Sequence, residues 1–186
     1  MEIIATFLPG VFVLAPRRFG DRRGWFCETW NRKVLNNSGI SLDFMQANHS
    51  YSAELGTLRG LHYQSQPYAQ DKLVRCSRGA IFDVVVDVRK GSPTYGQWFG
   101  VELTAENCKQ LLVMKGFLHG FVTTLPETEV QYMVTDVYAP DCEGTVRWDS
   151  LSIDWGLETP PILSDKDASA PSFDTWESPF IWDGAQ

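Results

Sequence analysis

Alternation of apolar and polar positions, with the period of two that strands have, dominates the pattern along this chain. The clearest stretch is 79–89, whose first face carries Phe82, Val84, Val86 and Val88. Its other face carries Asp83, Asp87 and Arg89. Lys90-Gly91-Ser92-Pro93 then supplies a turn signal. The pattern predicts a long strand that ends just before this turn.

The stretch 128–138 alternates in the same way. It places Tyr132 and Tyr138 on the face that also holds Val130 and Val134. Two phenols on an inward face are compatible with a core in which each hydroxyl group is satisfied locally. They are also compatible with a ligand cavity that needs an acid and a stacking surface. The pattern alone slightly favours the core.

Short strands and frequent turn signals continue along most of the chain. The further predicted strands are 10–15, 43–49, 71–77, 97–103, 110–114, 118–124 and 145–148. Helix signals are few: a short helix over 31–37 capped by Asn31, and one capped turn over 104–107. We therefore predict an all-β antiparallel sandwich or barrel with a few short helices. Residues 1–186 read as one domain whose tail, from about 156, wraps the core.

Composition narrows the kinds of molecule that the chain can bind. The chain has a net charge of −7 and a pI near 4.9, which argue against bulk binding to nucleic acid or to an anionic membrane. The four cysteines form no C-x-x-C pair, and no secretory signal or apolar stretch of membrane-spanning length is visible. We expect a cytoplasmic protein with reduced cysteines.

Two of the three histidines lie in segments flanked by glycine and aromatic residues. His62 lies in Leu58–Gln64, three residues after Arg59, and His119 lies in Lys115–Phe121. Imidazole suits proton abstraction near neutral pH, and a guanidinium group suits an anionic ligand. These segments predict a proton-transfer enzyme that acts on an anionic ligand. For His119 alone, core and site remain equally good interpretations, whereas His49 is interpreted as structural.

A metal centre is disfavoured by the spacing of the histidines. Cupin barrels often bind a metal through a His-x-His pair with a glutamate and a later histidine. Here Gly60 and Gln64 occupy the positions two residues before and after His62. We expect no metal site.

Several longer motifs, in order along the chain, carry a family resemblance. They are Asp21–Glu28, Gln46–Ser50, Thr57–Gln64, Lys72–Arg75, Phe82–Arg89, Ser92–Gly96, Gly116–Phe121, Asp136–Pro140 and Ser164–Asp167. From about residue 10 to 173 the chain resembles the dTDP-4-dehydrorhamnose 3,5-epimerases. The resemblance implies a cupin-like jelly-roll barrel that forms a homodimer and uses no metal or organic cofactor. It implies dTDP-4-dehydro-6-deoxyglucose, or a close relative, as the substrate.

The resemblance also implies roles for individual residues. His62 would be the base, Asp167 would orient its ring, and Tyr132 would be the acid on the opposite face of the sugar. Lys72 would lie near the developing enolate oxygen. The pyrophosphate and sugar region would be contacted by Arg23, Arg59 and His119. The nucleotide would be contacted, partly across the dimer, by Glu28, Gln46, Asn48, Glu143 and Lys166, with Tyr138 stacked on thymine.

Three positions depart from what is common in that family, and none is one of the implied catalytic groups. They are Met114, Val137 and Ala47. They leave open a relative that inverts only one of the two carbons. Two alternatives of other classes are a barrel that binds a sugar nucleotide without turnover, and a metal-dependent cupin oxygenase. Retention of His62, Tyr132 and Asp167 argues against the first, and the missing His-x-His pair argues against the second.

Overall fold

The computed structural model describes residues 1–184. Within that range the strands are β1 (Glu2–Ala5), β2 (Val11–Ala15), β3 (Arg18–Asp21), β4 (Gly24–Cys27), β5 (Gln46–Ser52), β6 (Leu58–Gln64), β7 (Lys72–Arg78), β8 (Ala80–Asp87), β9 (Trp98–Thr104), β10 (Gln110–Val113), β11 (Phe117–Thr123), β12 (Thr128–Val134) and β13 (Glu143–Thr145). The helices are α1 (Arg32–Asn37) and α2 (Asp165–Ala168), with 3₁₀ turns at Pro140–Cys142 and Phe173–Thr175.

Two antiparallel sheets form the barrel. One has the strand order β1-β2-β10-β7-β12-β5, and the other has the order β13-β6-β11-β8-β9. Their inward side chains meet in one core, where Val74 and Leu111 of the first sheet pack with Val85 and Phe121 of the second. This is the cupin-like jelly roll that the family resemblance implied, and it fits the antiparallel sandwich or barrel that the strand pattern predicted.

The predicted alternation in β8 is present, but both of its faces are covered. Val84 and Val86 pack against the C-terminal part of the chain, which includes Phe180. On the other face Asp83 and Asp87 are fully buried. Asp87 accepts hydrogen bonds from Arg89, Ser92 and Thr94, so its buried charge is compensated.

Helix α1 begins where its cap predicts. The Asn31 side chain accepts hydrogen bonds from the backbone amides of Lys33 and Val34, at 3.0 and 3.3 Å. The predicted turn at 104–107 is also present, with the Thr104 hydroxyl group accepting from the Asn107 amide at 2.8 Å. Local hydrogen bonding therefore fixes both short elements.

Several elements differ from the predicted ones. Strand β12 ends at Val134, so Tyr138 lies beyond it and not on its inward face. The hairpin β3–β4 was not predicted; its two strands pair with each other and with neither barrel sheet. Strand β1 and helix α2 were also not predicted, and the strand predicted over 145–148 is found as β13, at Glu143–Thr145.

The tail beyond residue 156 lies against the barrel. Ile162 forms an isolated parallel β-bridge with Thr57, and Ile181 forms one with Lys90. Phe180 is buried in the hydrophobic cluster that also contains Val84 and Val86 of β8. This course carries α2 to the mouth of the barrel. None of the helices within residues 1–184 is long and apolar enough to cross a membrane.

Candidate active site

A cavity of about 550 Å³ opens between the two sheets. Its polar walls include Arg59, His62, Lys72, His119, Tyr132, Tyr138, Glu143, Lys166 and Asp167. An adjoining recess of about 300 Å³ shares several of these residues and adds Gln46 and Asn48. All of the predicted site residues except Arg23 and Glu28 therefore line one continuous polar region.

Close approach of β6 and β11 brings the two glycine-flanked histidines together. His62 pairs with His119 in the ladder, next to an irregularity in the register. A Cβ atom on Gly60 would lie 2.6 Å from the Gly120 Cα, and one on Gly120 would lie 2.9 Å from the Arg59 carbonyl oxygen. Only glycine fits at both positions, since real Cβ atoms do not approach so closely.

His62 and Asp167 form a dyad at the mouth of the cavity. Nε2 of His62 lies 2.5 Å from Oδ1 of Asp167, although the residues are 105 positions apart. Asp167 is buried in α2, and its backbone amide donates to the capping Ser164 hydroxyl group. Burial alone would raise the pKa of Asp167, but hydrogen bonds from His62 and Ser164 outweigh it and lower that pKa. The ionised carboxylate can thus orient the imidazole ring.

Tyr132 faces this dyad from the other sheet. Its ring packs against the barrel core, and its side chain also lines the cavity. The sequence left open whether Tyr132 belongs to the core or to a ligand cavity, and in the structure it belongs to both. Burial raises the pKa of its phenol, and the positive charge of nearby Arg59 offsets part of this increase. The hydroxyl group therefore stays protonated near neutral pH and can donate a proton.

Lys72 supplies a cation on the same wall as Tyr132. Burial lowers the pKa of its ammonium group to about 8, against the opposing influence of the Asp83 and Glu143 carboxylates. At neutral pH the group is still largely charged. It can stabilise negative charge that develops on a ligand oxygen.

His119 is held by a buried carboxylate. Its Nε2 lies 2.6 Å from Oδ1 of Asp83, whereas Oδ2 of Asp83 has no hydrogen-bond partner among the described residues. Arg59 is held by Ser52 and by the Tyr51 carbonyl oxygen. His119 and Arg59 thus place two nitrogen-bearing side chains on the cavity wall.

A polar chain extends from the cavity towards the surface. The Tyr138 hydroxyl group donates to Glu143 at 2.8 Å, and Lys166 forms an ion pair with the same carboxylate at 2.5 Å. The Tyr138 amide donates to Gln46, whose side chain donates to Asn48. Tyr138 itself is 55% exposed, so one face of its ring is available for stacking.

Arg23 and Glu28 lie away from this cavity in the single chain. Arg23, at the tip of the β3–β4 hairpin, is 83% exposed and forms an ion pair with Asp21 at 2.6 Å. Glu28 follows the hairpin and accepts a hydrogen bond from Asn31. The single chain therefore brings neither of these two predicted residues to the cavity.

Sequence reasoning missed the carboxylate that holds His119. Asp83 was assigned only to one face of a strand, and its hydrogen bond joins residues 36 positions apart. An acidic residue between valines in a strand with two buried faces was the available signal. It also missed Ser164, whose signal was its capping position before Asp165 and Lys166.

The fold and the site together define a class of protein. His62 on one sheet, paired with the buried carboxylate of Asp167 in α2, lines a cavity together with a phenol and an ammonium group on the other sheet. Among residues 1–184 no three His, Cys, Asp or Glu side chains are grouped as metal ligands. The arrangement is that of a proton-transfer enzyme built on a cupin-like jelly roll.

The family can be stated from comparison with known proteins. The family model described as dTDP-4-dehydrorhamnose 3,5-epimerase matches residues 5–175. The chain belongs to this family, as its motifs predicted.

Individual relatives are similar over nearly their whole length. A dTDP-4-dehydrorhamnose 3,5-epimerase of Shigella flexneri is 47% identical over 176 residues, 93% of this chain and 96% of its own. A crystal structure of the Bacillus anthracis enzyme with TDP and PPi bound is 50% identical, with a TM-score of 0.88, and covers 91% of this chain and 98% of its own. The Legionella pneumophila epimerase in complex with dTDP-4-keto-L-rhamnose is 42% identical, with a TM-score of 0.89, and covers 94% and 93%.

Proposed function

We propose that this chain is an isomerase that inverts C3 and C5 of a dTDP-4-dehydro-6-deoxyhexose. The reaction converts dTDP-4-dehydro-6-deoxy-D-glucose to dTDP-4-dehydro-L-rhamnose. The observation that carries the proposal is the His62–Asp167 dyad, which faces Tyr132 across the cavity. Family membership and relatives of that name support it.

The chemistry follows from the C4 ketone of the substrate, which acidifies the protons on C3 and C5. His62, oriented by Asp167, removes one of these protons, and an enolate forms. Lys72 stabilises the charge on the enolate oxygen, since its ammonium group lies on the cavity wall. Tyr132 then returns a proton to the opposite face of the carbon. Arg59 and His119 bind the diphosphate and sugar, while Tyr138 stacks on thymine beside Glu143 and Lys166.

Proton NMR in D2O tests the proposed function directly. The protein is incubated with dTDP-4-dehydro-6-deoxyglucose, and C3 and C5 are followed separately. We expect deuterium incorporation and inversion at both carbons. Inversion at one carbon alone would make the protein a single-centre epimerase, and no exchange at either would contradict a catalytic role.

The pH dependence of the reaction should report Lys72. Its pKa of about 8 makes the ammonium group lose its proton as the pH rises above 8. We expect kcat/KM to fall by about tenfold per pH unit on that alkaline side, because the charged form stabilises the enolate. The residual activity of Lys72→Gln should lack this decline. If that variant keeps it, another group is responsible.

We further propose that the protein is a homodimer in which the β3–β4 hairpin of each chain completes the cavity of the other. Two observations support this. Arg23 and Glu28 do not reach the cavity of their own chain, and the hairpin exposes the large apolar side chains Trp25 and Phe26, at 55% and 68%. An exposed apolar hairpin is what an interface between copies requires.

Mixing two inactive variants tests this sharing of sites. Arg23→Ala and His62→Ala are each expected to be poorly active alone. After subunit exchange, half of the dimers are mixed, and each mixed dimer has one intact site, so the mixture should recover about a quarter of the wild-type activity. If native mass spectrometry shows that mixed dimers have formed and activity still does not recover, Arg23 acts within its own chain or not at all.

The cellular setting is part of the same proposal. The enzyme would work in the cytoplasm, where reducing conditions suit its four free cysteines. Residues 1–186 would act as a single epimerase domain, with the tail after 156 supplying Lys166 and Asp167.

A further inference from the structure

Two cysteines far apart in the sequence meet beside the hairpin. Cys27 lies in β4 and Cys108 in the turn between β9 and β10, and both line a cavity of about 300 Å³. In the β3–β4 ladder Cys27 is directly opposite Arg18, so these two side chains project to the same face. Nε of Arg18 donates a hydrogen bond to Sγ of Cys108 at 3.1 Å. The Arg18 side chain therefore lies on the same face of the hairpin as Cys27 and donates to Cys108.

The surroundings give the two thiols different properties. Arg18 is held in place by the Ala105 carbonyl oxygen at 2.7 Å and by the Trp25 ring, whose centroid is 4.3 Å from its guanidinium carbon. The fixed guanidinium group of Arg18, at hydrogen-bond distance from Sγ of Cys108, can stabilise negative charge that develops on this sulfur during thiol–disulfide exchange. Burial, followed by the adjacent Cys108 side chain, raises the pKa of Cys27. Cys108 is thus suited to attack first, and Cys27 to react second.

We propose that Cys27 and Cys108 are a reversible thiol–disulfide modification site that reacts with small disulfides such as oxidised glutathione. The Cys108 thiolate attacks one sulfur of glutathione disulfide, which forms a mixed disulfide and releases one glutathione thiolate. Cys27 loses its proton to solvent, attacks Sγ of Cys108 and releases the second glutathione. The protein loses two electrons, and glutathione disulfide is reduced to two glutathione molecules.

The bond would fasten the hairpin to the barrel. Within the described residues, β3 and β4 pair only with each other, and Arg18 anchors them to the 105–108 turn. A covalent link across the same gap closes a long loop of chain, which restricts the unfolded state. We expect oxidation to raise the midpoint of thermal unfolding by on the order of 5 °C. This inference does not depend on the proposed reaction.

Equilibration of the native protein in glutathione redox buffers tests the site. As the oxidised fraction rises, two of the four thiols should disappear together. Peptide mass spectrometry should then identify a Cys27–Cys108 link within one chain, and excess dithiothreitol should reverse it. Retention of both thiols under fully oxidised glutathione, a link between chains, or separate glutathione adducts on both cysteines would overturn the proposal.

Single substitutions test the separate roles of Cys27, Cys108 and Arg18. Cys27→Ser should stop at a glutathione adduct on Cys108, whereas the matched Cys142→Ser variant should form the link like the wild type. Arg18→Gln should slow the first step at pH 7 by about tenfold, and Arg17→Gln, at a neighbouring surface arginine, should not. Equal rates for both arginine variants, measured on folded protein, would overturn the role of Arg18.

Discussion

Replacing His62 by asparagine should lower the rate of C3 and C5 proton exchange by about a thousandfold, because a positioned general base contributes on that order. Asparagine keeps a polar side chain, but its amide ends short of the Nε2 position that lies 2.5 Å from Asp167. The substitution therefore removes the basic imidazole together with its contact to Asp167. Exchange of the substrate protons into D2O, followed by NMR, measures the base directly and does not depend on whether inversion is completed.

Binding of dTDP should separate a base from a ligand contact. The base acts on the sugar carbons, so the Kd of His62→Asn for dTDP should change by less than about threefold, as expected for a group that acts in the transition state. His49→Asn is the matched control, since His49 pairs with Glu129 on the outside of the sheet and should leave exchange unchanged. A comparable loss of dTDP affinity in His62→Asn would make His62 a binding residue instead.

Local pattern predicted those elements whose signals lie within a few residues. The valines of β8 alternate over a whole strand, and Asn31 caps α1 through amides two and three positions ahead. The β3–β4 hairpin escaped notice because its strands are only four residues long and Gly20 and Gly24 interrupt the apolar pattern. Tyr138 was assigned to a face that its strand does not reach.

The site depends on contacts that no local pattern reports. His62 was a candidate base from its own segment, but its partner Asp167 lies 105 positions away, and spacing gave no reason to choose it over other loop carboxylates. Before the structure, only the family resemblance paired His62 with Asp167. The resemblance assigned no role to Asp83, so its hydrogen bond with His119 was not predicted. Long-range pairs within the cavity are fixed by the sheet topology rather than by sequence spacing.

Replacing Tyr132 by phenylalanine should separate proton removal from inversion. Phenylalanine keeps the ring that packs against the core and removes only the phenol hydroxyl group. Because His62 is unchanged, deuterium should still enter C3 and C5 at a rate within about tenfold of the wild type. Without the acid on the opposite face, inversion should fall by about 10²- to 10³-fold.

The rates of proton exchange and of inversion are measured in one sample, so they can be compared directly. Solvent deuterium reports enolate formation, and the change in coupling of the sugar protons reports inversion. Tyr51→Phe is the matched control, because Tyr51 is 51% exposed and its hydrogen bond from Arg59 is accepted by the backbone carbonyl oxygen, which the substitution keeps. Equal loss of exchange and inversion in Tyr132→Phe would mean that the phenol assists enolate formation and that another group returns the proton. The ratio of the two rates therefore decides whether the sheets divide the chemistry, with the base on β6 and the acid on β12.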